Sequence, residues 1–446
     1  MKSKADLLRK ILYIYVLISP LVDMMTSLAV RAGMTGMTMG VVVRALFVVA
    51  MAFYVLFLYR GAHGVKLRIA VLITAAYGII YLLNTVSING LGVLMDNAKM
   101  YVKVYYFVFV LLGLYALYRE HGIVISDKLL TIVFCIYSTS IFLAAITGTS
   151  FPTYELLDIG YCGWFYAGNE IGAIVAILAG IALAYGFTKS KLISIPILGL
   201  VAFSSTYIGT KVPFFAVVVA GVLLLLFWIG KLVKEKFATG KKTIIKFGVL
   251  LLCILVLYLA DSPIHQNADW IQDQFGITTE ADWSKFGTFA PIIETVDWLL
   301  SGRIGDIQDV MSRYVDGSWM EKLFGIGYTF QIAGEWRTDV VEMDFVAILL
   351  KHGMVGLAIY MIPLLYFAVV CIKKLIKQLK YFWELESAVL YTYGILIGLG
   401  CAFLAGHVLV APAVSIYIAA CIVKLHANLT EREERINEIE RDRPGL

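Results

Sequence analysis

Long runs of apolar residues, separated by short polar segments, recur along most of the chain. Each run is about 20 residues long, the length that an α-helix needs to cross the hydrocarbon core of a bilayer. We therefore predict an all-α, polytopic membrane protein with about 12 transmembrane helices. The predicted spans are 11–30, 36–59, 67–87, 99–118, 128–147, 169–187, 192–208, 212–230, 244–260, 354–372, 387–407 and 409–425.

One interval between spans nine and ten is too long and too polar to be a simple connection. Within it, the stretch VVEMDFVAILLKHG has the pattern of a short helix at the outer surface that Gly353 ends as a C-terminal cap. We expect a long, partly helical external loop that forms a lid. The predicted division of the chain is helices one to nine (1–260), the lid (261–353), helices ten to twelve (354–425) and a charged cytoplasmic tail (426–446).

Composition and charge support this prediction. The chain of 446 residues is 60% hydrophobic and only 15% charged, and a soluble protein of this length could not bury so much apolar surface. Of the 37 Lys and Arg residues, 26 lie in segments on the side of both termini. The positive-inside rule then places both termini in the cytoplasm and the long loop outside a bacterial cell membrane. We expect no nucleic-acid partner.

A single arginine, Arg44, interrupts the apolar run GVVVRALFVVAMAFYVLFLY. An arginine at the centre of a membrane helix costs roughly 2.5 to 3.5 kcal/mol on insertion scales, and such a residue is a functional candidate by default. We expect Arg44 to point into a polar cavity and to bind an anion there.

Other polar residues approach the outer leaflet from different spans. Lys99 and Lys103 share a helix face with Asp96, Asn169 begins span six, and Lys211 lies in the turn between spans seven and eight. Because Arg and Lys bind phosphate oxygens, the predicted ligand is a lipid-linked diphosphate. The alternative is structural: the two lysines pair with Asp96 or extend to the interface, Asn169 caps a helix, and Lys211 ends a span.

These residues resemble the O-antigen ligase and polymerase superfamily, integral-membrane glycosyltransferases that use undecaprenyl-diphosphate-linked glycans. The resemblance covers most of the chain, but its motifs are short. They are matched by YAGNEIG with Asn169, GTKVPFF with Lys211 in the place of an arginine, LLSGRIGDIQ with Arg303, the glycine turn LFGIGYTF, and EMDFVAILLKHGMVGL.

The resemblance implies an inverting, metal-independent transfer of a glycan to an acceptor hydroxyl, without a cofactor. Arg44, Lys99, Lys103, Lys211 and Arg303 would stabilise the diphosphate leaving group. The implied partners are the lipid-linked donor, a glycan acceptor, the bilayer and other proteins of exopolysaccharide or cell-envelope assembly.

The chain departs from the lipopolysaccharide ligases where these often carry a His–Asn pair, since it has Glu342 and Asp344 there. Either carboxylate would accept a proton or orient the acceptor hydroxyl. Two positions apart on a helix, they would diverge by roughly 200° and could not face one site; we favour Glu342. The alternatives are that both are solvated surface charges and that Arg303 pairs with a neighbouring aspartate. His407, within predicted span eleven, is interpreted as an interior histidine with its hydrogen bonds satisfied.

A transporter or flippase for a lipid-linked glycan is the alternative function, because it would also need cations near the headgroup. Transporters commonly contain inverted repeats with interrupted helices in matching halves. The long loop late in the chain does not fit such symmetry, so we favour the transferase.

Overall fold

The structure is a computed structural model, and it describes residues 2–34, 36–154, 159–188, 191–235, 240–259, 262–266, 307–332, 335–337 and 341–442. Nearly all the described chain is helical, as the apolar runs predicted. The long helices are α1 (Lys2–Arg31), α2 (Met39–Phe53), α3 (Gly64–Asn89), α4 (Leu94–His121), α5 (Asp127–Ile146), α6 (Gly168–Thr188), α7 (Lys191–Tyr207), α8 (Lys211–Glu235) and α9 (Gly240–Leu259), followed after two short helices by α12 (Asp344–Lys377), α13 (Glu386–Leu404) and α14 (Pro412–Asp442). A π-helical turn, Tyr54–Leu58, extends α2.

Ten of the described helices are long and apolar enough to cross a membrane. The all-α polytopic fold is therefore confirmed, whereas the exact number of spans, the orientation of the termini and the external position of the long loop stay predictions. About half of that loop, including Arg303, lies outside the described residues. The tail predicted to begin at 426 continues α14 without a break as far as Asp442.

Three helices form the centre of the bundle. In α4, α6 and α14 more than four-fifths of the apolar span is buried within the protein, against 28% in α1 and α2. Small residues in α6 and α14 allow the neighbouring backbones to approach closely. Tyr393 of α13 donates hydrogen bonds to the carbonyls of Ala176 and Ala216, at 3.0 and 2.7 Å, and so fastens α13 to α6 and α8. Helix α6 is thus bonded to α13, which also packs against α14.

A glycine-rich contact joins the end of the long loop to α12. This part of the loop comprises α10 (Gln308–Val315), α11 (Trp319–Phe324), β3 (Phe330–Ile332) and β4 (Glu335–Arg337). Gly325 and Gly353 both have positive φ, and a Cβ on either would lie within about 2.5 Å of the other segment's backbone. The helix ending predicted at Gly353 is confirmed, since its φ of 70° and ψ of −179° interrupt α12.

The segment before Gly353 is helical, as predicted, and its position at the outer surface stays a prediction. The alternative that Asp344 is a solvated surface charge is wrong, since Asp344 is fully buried, as are Ile348 and Leu350. The glycine turn after α11 packs against this helix, where Ile326 N donates to Leu350 O at 3.2 Å. The helix also begins at Asp344, so Glu342 precedes it. The expected divergence of the two carboxylates therefore does not apply.

Span eleven is shorter than predicted. Helix α13 ends at Leu404, and residues 405–411 form a loop before α14. His407 lies in this loop with a positive φ of 58°. The interpretation of His407 as a residue inside a transmembrane helix is wrong, because the chain turns after Leu404 instead of continuing.

A short hairpin connects α5 with α6. Its strands, β1 (Pro152–Tyr154) and β2 (Ile159–Tyr161), are antiparallel, with Pro152 opposite Tyr161. Phe151 N donates to Gly163 O at 2.8 Å, and Trp164 Nε1 donates to Thr149 Oγ1 at 2.9 Å. These bonds hold the segment that leads into α6 in one conformation.

Candidate functional site

A polar cavity opens where α1 ends and α2, α4, α6 and α14 begin. Its volume is about 330 Å³. The charged residues in its wall come from four helices and comprise Asp23, Arg44, Lys99, Lys103 and Glu170. The apolar remainder of the wall includes Phe165, Tyr166, Pro412 and Ala413. Residues that are scattered through the sequence thus converge at one end of the bundle.

Arg44 faces this cavity and forms an ion pair with Asp23 of α1. Both side chains are largely buried, with 17% and 9% exposed. Asp23 also accepts a hydrogen bond of 2.6 Å from the hydroxyl of Tyr137. A buried charge requires a partner of opposite sign, so Asp23 explains why the helix tolerates Arg44. The ion pair with Asp23 uses only some of the five N–H donors of the Arg44 guanidinium group.

Lys99 and Lys103 lie in the same wall, one helical turn apart on α4. Lys99 Nζ is 3.3 Å from the Asp96 carboxylate. The ion pair with Asp96, which was the structural alternative for Lys99, is therefore present. Lys103 is half-buried and makes no ion pair in the part of the chain that the structure describes. It therefore provides the positive charge in the cavity that is least compensated by neighbouring carboxylates.

Two other residues predicted for this site, Lys211 and Asn169, do not line the cavity with Arg44. Lys211 is exposed at the first residue of α8 and is absent from the cavity wall. Asn169 is half-buried on the first turn of α6, where its neighbour Glu170 lines the cavity. Arg303 lies outside the described residues.

Asp344 holds the loop between α13 and α14. Its carboxylate accepts hydrogen bonds from three consecutive amides, those of His407, Val408 and Leu409, at 2.8, 3.0 and 2.6 Å. The side chain is fully buried. Because its acceptor positions are directed to the backbone, Asp344 positions the loop and is poorly placed to accept a proton from a substrate.

Glu342 and His407 form a pair beside this loop. His407 Nε2 lies 3.9 Å from Glu342 Oε1, and both side chains are partly exposed. The carboxylate of Glu342 raises the pKa of His407 above its usual value; burial opposes this shift, and the charges of Glu170 and Asp344 reinforce it. Pro412 and Ala413, which follow the loop, line the cavity. Neither Glu342 nor His407 is part of the cavity wall, but the charge of Glu170, which is, acts on His407, so the pair lies near the cavity. A histidine paired with a carboxylate can serve as an acid or a base.

Gly406 allows the loop to approach Glu342, and we expect Gly406→Ala to disrupt it. Gly406 has a φ of 70°, and a Cβ there would lie 1.3 Å from the carbonyl oxygen of Glu342. Relief of this clash must displace one of the two segments, at a cost of at least about 1–3 kcal/mol. Amide hydrogen exchange at residues 407–409 should rise, because their bonds to Asp344 would be lost. The matched control is Gly400→Ala, where the added Cβ meets open space; equal exchange in both variants would contradict the assignment.

Two residues at or near the site, Asp23 and His407, were not predicted from the sequence. Asp23 is an acidic residue inside an apolar run, the same signal that identified Arg44. His407 was assigned to a helix interior, although Gly406 and Pro412 flank its segment and are typical of a turn. Among the described residues, no group of three or more His, Cys, Asp or Glu is arranged to bind a metal ion; metal independence stays a prediction.

Comparison with known proteins identifies a family. The sequence matches the family described as O-antigen ligase like membrane protein over residues 5–282 and 293–432. The match covers the transmembrane helices and most of the loop before α12. Comparison with curated proteins gives no match.

Proposed function

Since the chain belongs to the O-antigen ligase-like membrane protein family, we propose that it transfers a glycan from an undecaprenyl-diphosphate-linked donor to an acceptor hydroxyl during assembly of a cell-envelope polysaccharide. The observation that carries this proposal is the cavity at the helix ends, whose wall contains Arg44, Lys99 and Lys103. The Glu342–His407 pair is outside this wall but close enough for the charge of Glu170, which is part of the wall, to act on His407. A lipid-linked diphosphate matches this position, because its tail would lie in the bilayer while its charge enters a polar cavity.

The cations of the cavity would stabilise the leaving group. As the bond between the anomeric carbon and the phosphate oxygen breaks, negative charge develops on the diphosphate, and fixed positive side chains lower the energy of that charge. Lys103 can respond most freely because no carboxylate neutralises it among the described residues. Lys211 and Arg303 remain proposed contributors from the loops. This stabilisation requires no metal ion.

The Glu342–His407 pair would activate the acceptor. The hydroxyl oxygen attacks the anomeric carbon from the face opposite the diphosphate, which inverts the configuration in a single displacement. Its proton passes to neutral His407, and Glu342 orients the ring and stabilises the imidazolium. Glu342, favoured from the sequence as the base or the orienting group, takes the orienting role in this proposal, while Asp344 holds the loop in place.

Reconstitution of the purified protein with undecaprenyl-diphosphate-linked repeat units tests the proposal. We expect release of undecaprenyl diphosphate together with a longer glycan if the enzyme is a polymerase, or a glycosylated acceptor if it is a ligase. Translocation of the lipid-linked glycan across the vesicle membrane without bond formation would support a transporter instead.

Lys103→Gln should lower the rate of this transfer by roughly 10- to 100-fold, since a charged hydrogen bond contributes about 1.5–3 kcal/mol. The matched control is Lys373→Gln, which removes an exposed lysine far along α12 from the cavity. Initial rates at saturating acceptor provide the measurement. Equal rates in the two variants would show that Lys103 does not contribute to the proposed site.

A further inference from the structure

An aromatic ring forms part of the cavity wall beside the cations. Tyr166, immediately before α6, is 55% exposed and lines the cavity, whereas the adjacent Phe165 is buried. The exposed face of Tyr166 is therefore available to a molecule within the cavity.

The Tyr166 ring is in contact with Arg31, which also packs on Phe151. The guanidinium carbon of Arg31 lies 5.5 Å from the centre of the Tyr166 ring and 3.8 Å from that of Phe151. Phe151 is in turn fixed by backbone hydrogen bonds with Cys162 and Gly163. A cation on an aromatic face contributes about 0.5–2 kcal/mol. These contacts orient the ring before any ligand binds.

Polar groups accompany this ring within the same wall. Ser27 is fully buried, and its Oγ has no hydrogen-bond partner in the described chain. Glu170 is half-buried, and its charge acts on both Arg44 and His407. A buried hydroxyl without a partner is costly unless a ligand satisfies it. Ser27 and Glu170 thus offer a donor and acceptors in the wall that also contains the cations.

We propose that Tyr166, Ser27 and Glu170 form a subsite for the sugar that is joined directly to the diphosphate of the donor. A pyranose presents weakly positive C–H groups on its faces, which suit the negative face of an aromatic ring. Its edge carries hydroxyls, which suit Ser27 and the Glu170 carboxylate. This inference rests on the proposed function, because the subsite lies next to the proposed diphosphate position.

Binding measurements with two probes test the subsite. The probes are undecaprenyl diphosphate alone and the undecaprenyl-diphosphate-linked repeat unit extracted from the producing cells. Tyr166→Ala should weaken binding of the glycosylated probe by roughly 10-fold, which corresponds to about 1.4 kcal/mol, and should leave the affinity for undecaprenyl diphosphate unchanged. Tyr166→Phe keeps the ring and should bind both probes as the wild type does. Tyr366→Ala, which removes an exposed tyrosine of α12 outside the cavity, is the matched control.

The outcomes separate this inference from the proposed function. If Tyr166→Ala weakened the binding of both probes equally, the subsite would be overturned and the proposed diphosphate site would not. Unchanged affinity for both probes would have the same consequence. Failure of the wild-type protein to bind either probe would overturn the proposed function itself, together with the subsite that depends on it.

Discussion

Arg44→Ala is expected to destabilise the protein by about 3–5 kcal/mol and to abolish glycan transfer. The substitution leaves the Asp23 carboxylate in a largely buried position with Tyr137 as its remaining partner. Removal of one member of a buried ion pair is costly because the other charge stays uncompensated. The melting temperature of the purified protein and its transfer rate should therefore fall together.

A double variant separates stability from function at this position. Asp23→Asn with Arg44→Gln removes both charges and nearly preserves side-chain size, so most of the lost stability should return. Transfer should remain abolished, because the cation that faces the cavity is still absent. Normal glycan products from the folded double variant would show that Arg44 serves only as a partner for Asp23.

The chain contains a matched ion pair at the other end of the bundle. Buried Lys424 lies 2.9 Å from Asp127, at the beginning of α5. The double variant Lys424→Gln with Asp127→Asn removes a pair of opposite charges far from the cavity, in which the lysine is buried and the Asp127 side chain is 39% exposed. We expect the transfer rate of this control, per folded molecule, to match the wild type.

Glu342→Gln should lower the turnover number by roughly 10²- to 10³-fold, within the range typical of a lost acid–base group. The Michaelis constant for the donor should change little, because Glu342 is assigned to the acceptor. His407→Gln should have a similar effect, and the double variant should be scarcely worse than either single one, because residues that act as a unit are not additive.

The pH dependence of Glu342→Gln provides a sharper test of the pair. His407 must be neutral to accept a proton, so the rate should rise with pH through the His407 pKa. Glu342 raises that pKa, and its removal should move the acidic limb of the pH–rate profile to lower pH. An acidic limb that does not move would show that Glu342 does not influence the ionisation of His407. Asp344→Asn differs in that weaker support of the loop should lower stability as well as rate; because the charge of Asp344 also raises the pKa of His407, it should move the acidic limb in the same direction.

The membrane fold was predictable because hydropathy is a property of consecutive residues. The apolar runs identified helices at the predicted intervals, and the resemblance to the ligase family is confirmed by the match over most of the chain. The break at Gly353 was also predictable, since the conformation of a glycine after a helix is a local property.

The candidate site was only partly predictable. Arg44, Lys99 and Lys103 were identified because each is a charge within or beside an apolar run, and the structure places all three in one cavity wall. The partner of Arg44 was missed because pairing across helices depends on the rotation of each helix. His407 was missed because the hydropathy of its segment resembles that of the preceding helix.

The sequence by itself determined that the chain is membrane-embedded, where its helices lie and which charges are out of place, because these follow from the order of apolar and polar residues. The tertiary structure decided that Asp23 compensates Arg44, that Asp344 holds a loop, and that His407 meets Glu342. These contacts join residues 21 to 65 positions apart in the chain. They depend on how helices pack and where loops turn, and the local pattern of residues does not specify either.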